Sequence, residues 1–170
     1  ELLGFGGQGR HIHLRRDPNV IRQQLNQRGN AAYIGDLMDL DKSLGVADLG
    51  FDGIDINMGC PDRAVEKSGC GADLIKHPEL ARELIRAAHT SGLPVSVKTR
   101  IGYNADELER WLPELLAEHP AAITIHARTR KEMSDVPARW DRVRRAVEIR
   151  NAAGSKTLIL GNGDVKDVPD

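Results

Sequence analysis

The chain has 170 residues, 40% of them hydrophobic and 29% charged, with a formal net charge of -1. Such a composition suits a globular protein with one sizeable core, and it excludes collagenous, disulfide-framework and strongly charged disordered chains. A near-zero charge announces no bulk affinity for nucleic acid, although a local basic patch is compatible with it.

No apolar run approaches the ~18 residues of a membrane span, and no leader resembles a signal peptide, so a cytoplasmic protein without membrane contact is expected. The cysteines, Cys60 and Cys70, follow no metal-ligand spacing and read as free thiols, and no metal is expected. Glu1 in place of methionine and the unfinished end at Val168-Pro169-Asp170 suggest a fragment.

Residues 1–45 sustain neither the helical nor the strand period. Gly6 and Gly9 lack the strand-then-helix setting of a dinucleotide fingerprint, and His11 and His13 read as surface loop because no third ligand is placed nearby. From residue 46 onward, strand-like and helix-like segments alternate. Strands are predicted at 53–57, 95–99, 123–126 and 157–161.

Leu80, Ala81, Leu84, Ile85 and Ala88 mark the stripe of a first helix that stops at Gly92-Leu93-Pro94. Asn104 and Glu107 resemble a capping box opening a second helix with Leu108, Trp111, Leu112 and Leu115 inward, and Pro113 is expected to kink or split it. A third helix runs from about Asp141 to Ala153, with Val143, Ala146 and Val147 inward, closed by Gly154.

Strand-helix repetition at this spacing implies parallel strands joined by crossovers. Ile56, Val97, Ile125 and Ile159 are 41, 28 and 34 residues apart, around the ~31 per unit of a TIM-type (β/α)8 barrel. A chain of this length holds an incomplete barrel. The expected organisation is a poorly matching segment over 1–45 and a partial barrel over 46–170.

The strand Gly53-Ile54-Asp55-Ile56-Asn57 alternates apolar and polar residues and then breaks at Met58-Gly59-Cys60-Pro61, which places Cys60 on the rim. The same parity sets Ser96 and Lys98 against Val95 and Val97, and Thr124 and His126 against Ile123 and Ile125. One face of each strand can pack under helices while the other gains chemistry toward its carboxyl end, as in a barrel. Plainer readings stand beside this. Cys60 can be a small buried hydrophobe, Lys98 an ion-pair partner of Asp55, His126 a core histidine on a backbone carbonyl, and Gly161-Asn162-Gly163-Asp164 a simple turn rather than an anion-binding loop.

From Leu49 to Val168 the chain resembles the tRNA-dihydrouridine synthase family. The motifs that carry the likeness are Asp55-Ile56-Asn57-Met58-Gly59-Cys60-Pro61, Gly71-Ala72-Asp73-Leu74, Val97-Lys98-Thr99-Arg100-Ile101-Gly102, Ile125-His126-Ala127-Arg128-Thr129-Arg130 and Gly161-Asn162-Gly163-Asp164-Val165. The resemblance implies an FMN-bound barrel that uses NADPH to reduce the C5–C6 double bond of uridines in tRNA, as a monomer in its full-length form. It makes Cys60 the general acid at C5 and puts Asn57 on the uracil edge. Lys98 and His126 fall beside the flavin, Asn162, Gly163 and Asp164 at its ribityl-phosphate end, and Arg100 and Arg128 near flavin or RNA phosphate. Arg139, Arg142, Arg144, Arg145 and Arg150 form either a phosphate-facing or a merely solvated surface. The family's first strand and its glutamine-bearing strand are not recognisable, unless Gln23 or Gln24 is a remnant, which suggests a misread or out-of-frame segment over residues 1–45, or a truncated paralogue. Cys70 reads as packing.

Two other enzymes and one non-enzyme fit the same residues less completely. They are an FMN barrel acting on free pyrimidines, a Schiff-base aldolase with Lys98 as nucleophile, and a catalytically inactive fragment with exposed sheet edges.

Overall fold

In a computed structural model of the chain, the structure describes residues 11–14 and 51–165. Five parallel strands lie in the order in which they occur, β1 (His11–Leu14), β2 (Gly53–Met58), β3 (Val95–Arg100), β4 (Ala122–His126) and β5 (Leu158–Asn162). The four strands predicted from the sequence fall within a residue of their expected bounds. The fifth, β1, is a correction: the backbone of His11 and His13 belongs to a strand paired with β2, not to a surface loop. Gln23 and Gln24 lie outside the described residues.

Between the strands run α1 (Arg63–Lys67), a 3-10 turn over Gly71–Lys76, α2 (Pro78–His89), α3 (Leu108–Leu116) and α4 (Trp140–Ala152). Their apolar stripes cover one face of the sheet. Ile54, Ile56, Met58, Val95, Val97, Ile123 and Ile125 form a single core with Ala81, Ile85, Ala88, Trp111, Leu112 and Leu115. An uninterrupted strand order with helices packed on one face is a singly wound arrangement; an open doubly wound sheet reverses its order and carries helices on both faces.

α3 departs from the sequence expectation at its start and at Pro113. Glu107 does not close a capping box on Asn104, because its carboxylate accepts Tyr103 N at 3.0 Å and the Arg110 guanidinium at 2.7 Å. The helix therefore starts later, at Leu108, with Asp106 Oδ1 accepting Leu108 N at 3.2 Å. Pro113 does not split α3. It stands on the exposed side, where the carbonyl it leaves without an amide donor can face water.

Trp111 fastens α3 to the sheet. It is fully buried, and its Nε1 donates to Thr99 Oγ1 at 3.0 Å, while that hydroxyl donates to Met58 O at 3.2 Å. One side chain thus joins helix, β3 and the last carbonyl of β2, immediately before the Gly59-Cys60 break. No helix among the described residues is long and apolar enough to cross a membrane.

Candidate active site

The face of the sheet away from the helices carries the polar residues of the alternation. Strand register puts Asn57 beside Lys98 and Lys98 beside Thr124, then Arg100 beside His126 and His126 beside Asn162. Both rows sit at the carboxyl ends of the strands, so Asn57, Lys98, Arg100, His126 and Asn162 share one mouth of the sheet.

Cys60 enters this mouth on a stiffly held turn. Asn57 Oδ1 accepts from Gly59 N and Cys60 N, each at 3.0 Å, an Asx-type turn that ends β2. A Cβ on Gly59 would lie 3.2 Å from Thr99 Cα, tighter than side chains usually pack, so glycine eases this approach to β3. Arg100 Nε donates to Gly59 O at 2.9 Å, and Ala72 N to Cys60 O at 2.9 Å. Gly71, at φ +61, presses so close that a Cβ would stand 2.6 Å from Cys60 O. The thiol is free and half-buried rather than a core hydrophobe. Cys70 is also free and half-buried, with Sγ 3.7 Å from Ser68 O.

Lys98 is half-buried and has no hydrogen bond or ion pair among the described residues. Burial and then Arg100 push its pKa down, against a weaker pull from Asp55. The ion pair with Asp55 does not form; Asp55 accepts Ser96 Oγ at 2.6 Å instead.

His126 is pushed down to about 4, first by burial and then by Arg100, Lys98 and Arg128. Its Nε2 lies 3.1 Å from Arg128 Nη1. A guanidinium only donates, so Nε2 accepts and the ring proton belongs on Nδ1. The partner is a guanidinium, not the backbone carbonyl of the plainer expectation.

Arg100 and Arg128, expected near flavin or RNA phosphate, are buried at 7% and 6% exposure and fasten loops. Arg100 Nη1 reaches Thr129 O at 3.1 Å and Met133 O at 3.4 Å. Arg128 donates from Nε to Val136 O at 2.6 Å and from Nη2 to Asp164 Oδ1 at 2.6 Å. Asp164 Oδ2 accepts Ala138 N at 2.7 Å, and that amide, followed by Arg128, holds its carboxyl below the usual range. Asp164 is thus the anchor of the last turn, at φ +56. Gly163 passes His126 so closely that a Cβ would lie 3.3 Å from its ring. Gly161 is just as constrained on the other side, since a Cβ there would meet the Trp140 ring at 2.3 Å.

Most arginines of α4 and its approach are engaged within the protein. Arg139 pairs with Glu132 at 2.7 Å and Arg142 with Asp106 and Glu109 at 3.0 and 2.7 Å. Arg145 reaches Glu148 at 2.8 Å, and Arg150 reaches Thr157 O at 3.0 Å. Arg144 is exposed. Apart from Arg145–Glu148, which lies within α4, these bonds tie the helix and its approach to neighbouring segments rather than leaving an open phosphate-facing row.

Comparison with known proteins agrees with the motifs. The family model described as Dihydrouridine synthase (Dus) matches residues 40–170. A Staphylococcus epidermidis protein named Probable tRNA-dihydrouridine synthase is 48% identical over 128 residues, 75% of this chain and 39% of the relative. Probable tRNA-dihydrouridine synthase 2 of Bacillus subtilis is 48% identical over 126 residues, 74% of this chain and 39% of its own length. The chain belongs to the dihydrouridine synthase family. It spans about two fifths (39%) of the length of these relatives.

Within this family member, the sequence did not disclose the contacts that hold the motif loops together. Nothing in the sequence marks Glu66, Arg130 or Trp140 as a site residue, yet Arg130 grips Glu66 and Trp140 Nε1 donates to Gly163 O at 3.1 Å. Arg130 was visible only as the last letter of a motif. Glu66 carried no signal at all.

Proposed function

We propose that the protein containing this chain is a tRNA-dihydrouridine synthase, a cytoplasmic flavoenzyme that uses FMN and NADPH to reduce the C5–C6 double bond of uridines in tRNA. The observation that carries the proposal is the convergence of a half-buried free thiol, a half-buried lysine without a partner among the described residues and a neutral histidine on one mouth of a singly wound parallel sheet. In the complete protein the sheet closes into a TIM-type barrel with this mouth at its active end.

The donor set suits FMN. Among the described residues Lys98 has no anionic side-chain partner, and it sits with Arg100 and Arg128 in a positive field, which favours the anionic form of a reduced flavin ring. Gly163, where a Cβ would crowd His126, lets backbone approach a ligand at the ribityl-phosphate end. Lys98 and His126 would hold the ring, and Asn162 and Gly163 the phosphate arm, with Asp164 setting the shape of that turn. Bound FMN would supply hydride for C6 of the base, with NADPH as the source.

Cys60 then donates its proton to C5 as general acid. The Asx turn keeps the thiol at the mouth, and because Asn57 Oδ1 is already occupied by two amides, its Nδ2 is the atom left to donate to a base carbonyl. Arg100 acts indirectly, through its bond to Gly59 O. Arg128 keeps His126 Nε2 an acceptor, so the imidazole stays neutral at physiological pH. The target uridine must be flipped out of its stack to enter such a mouth, which makes a folded tRNA the substrate.

The test is Cys60→Ala in the full-length protein. Uridine reduction in tRNA should fall about 10²–10⁴-fold, the usual contribution of a general acid, while reduction of bound flavin by NADPH stays intact. Loss of both half-reactions would count against the acid role. Equal turnover of free uridine and tRNA would point instead to an enzyme of free pyrimidines.

A further inference from the structure

We propose that the Arg130–Glu66 pair is a positioning device that sets the height and direction of the Cys60 thiol, an inference that rests on Cys60 being the acid. α1 follows Cys60-Pro61 directly, and none of its residues is buried. Its apolar contact is Val65, half-buried against the Gly71 turn, where a Cβ on the glycine would lie 2.9 Å from Val65 Cγ1. Its other attachments are polar.

Asp62 Oδ1 caps it internally, accepting Ala64 N at 2.8 Å, but that bond leaves α1 free to move as a body. Cys70 N donates to Val65 O at 3.2 Å and ties α1 to the turn that follows, and the link to the loop after β4 is Arg130. Its Nε donates to Glu66 Oε1 at 2.6 Å, its Nη2 donates to Glu66 Oε2, and Nη2 also reaches Pro61 O at 3.3 Å. One guanidinium therefore grips both the helix and the residue after the thiol.

The grip has a firm base. Arg130 N donates to Gly102 O at 2.9 Å and Lys131 N to Tyr103 O at 2.9 Å, fixing the loop after β4 to the loop after β3. The Arg130 Cζ lies 5.5 Å from the centre of the Tyr103 ring. The side chains of Arg130 and Glu66 are only 22% and 10% exposed, so water competes weakly for the pair.

A buried ion pair is weak evidence for stability, because apolar groups of the same volume often serve as well. What a bidentate pair adds is direction: two parallel bonds fix an angle that apolar contact leaves loose and lysine cannot reproduce. Losing the pair should loosen α1 and the Pro61 side of the Cys60 turn, while the bonds of Asn57, Arg100 and Ala72 N to that turn and the sheet itself are kept.

The experiment uses the full-length holoprotein with Cys70→Ser, and iodoacetamide labelling is read by mass spectrometry on the peptide that carries Cys60. In Arg130→Met, alkylation of Cys60 should change by about threefold or more, and amide exchange over residues 62–68 should rise at least about tenfold, with the amides of α2 and α3 unchanged. Turnover on tRNA should lose about ten- to a hundredfold in kcat, the usual cost of a misplaced reacting group, with KM for tRNA held within about twofold. Reduction of bound flavin by NADPH should keep its rate. Arg130→Lys retains the charge without the fork and should recover less than half of the loss. Should Arg130→Met fail to fold, Glu66→Gln carries the same readouts. Unchanged alkylation and exchange in both variants, or equal loss of the NADPH half-reaction, would overturn the proposal. A parent protein that reduces no tRNA uridine would sink the functional reading instead, and the thiol readouts would still decide whether the pair positions Cys60.

Discussion

His126 lies in a field of three cations, Lys98, Arg100 and Arg128, and burial is the largest of the influences that lower its pKa from 6.5 to about 4. Below pH 6.5 the unfolded chain takes up a proton at this position that the folded chain refuses until about pH 4. Its contribution to stability is therefore fully present above pH 6.5 and is lost as the pH falls toward 4. An NMR titration of the His126 ring should show a midpoint near 4, and His126→Gln should flatten the stability curve across this window; a midpoint of about 6 or above would contradict the assigned environment. The same residue shows why its partner was illegible in the sequence. Parity put the ring on the polar face, but the group that meets Nε2 comes from Arg128, whose direction is set by Val136 O and Asp164.

At the scale of elements, α3 and β3 are coupled through Trp111 and Thr99. Trp111→Phe removes the bond to Thr99 Oγ1 and leaves a small void, which should cost about 1.5–3 kcal/mol in urea unfolding. Because Thr99 also donates to Met58 O, the loss should raise amide exchange around the Gly59-Cys60 break; protection unchanged there would mean that the hydroxyl holds β2 without the indole. The helix stripes were readable because they depend on spacing alone. Ala81, Ile85 and Ala88 are buried as their period required, with Leu80 and Leu84 packed at the margin. The capping box of α3 was not readable. Glu107 had three possible partners, and the choice of Tyr103 N and Arg110 follows from how the preceding loop folds over Gly102, where a Cβ would strike Ala105 O at 1.9 Å.

For the molecule as a whole, the informative feature is the polar face of the sheet where it meets β5. Register puts Leu160 beside Thr124, on the side away from the helices, and Leu158 and Leu160 are 47% and 38% exposed among the described residues. If the sheet closes into a barrel in the full-length protein, this face becomes interior. Leu160→Ser should then cost about 1.5–3 kcal/mol in the full-length protein, as for a buried leucine. A neutral substitution would mean that the face stays open and would argue against closure.

The sequence by itself determined what depends on neighbours along the chain: strand parity, helix stripes, the Gly59-Cys60-Pro61 break and the family to which they belong. Alternation and 3.6-residue spacing arise from local backbone geometry, so they survive without knowledge of contacts. Only the tertiary structure decided which donor meets which acceptor. Arg100 on Gly59 O, Arg130 on Glu66 and Arg128 on Asp164 join residues 41, 64 and 36 positions apart. A guanidinium at the rim can satisfy any nearby carbonyl or carboxylate, and folding alone chooses among them.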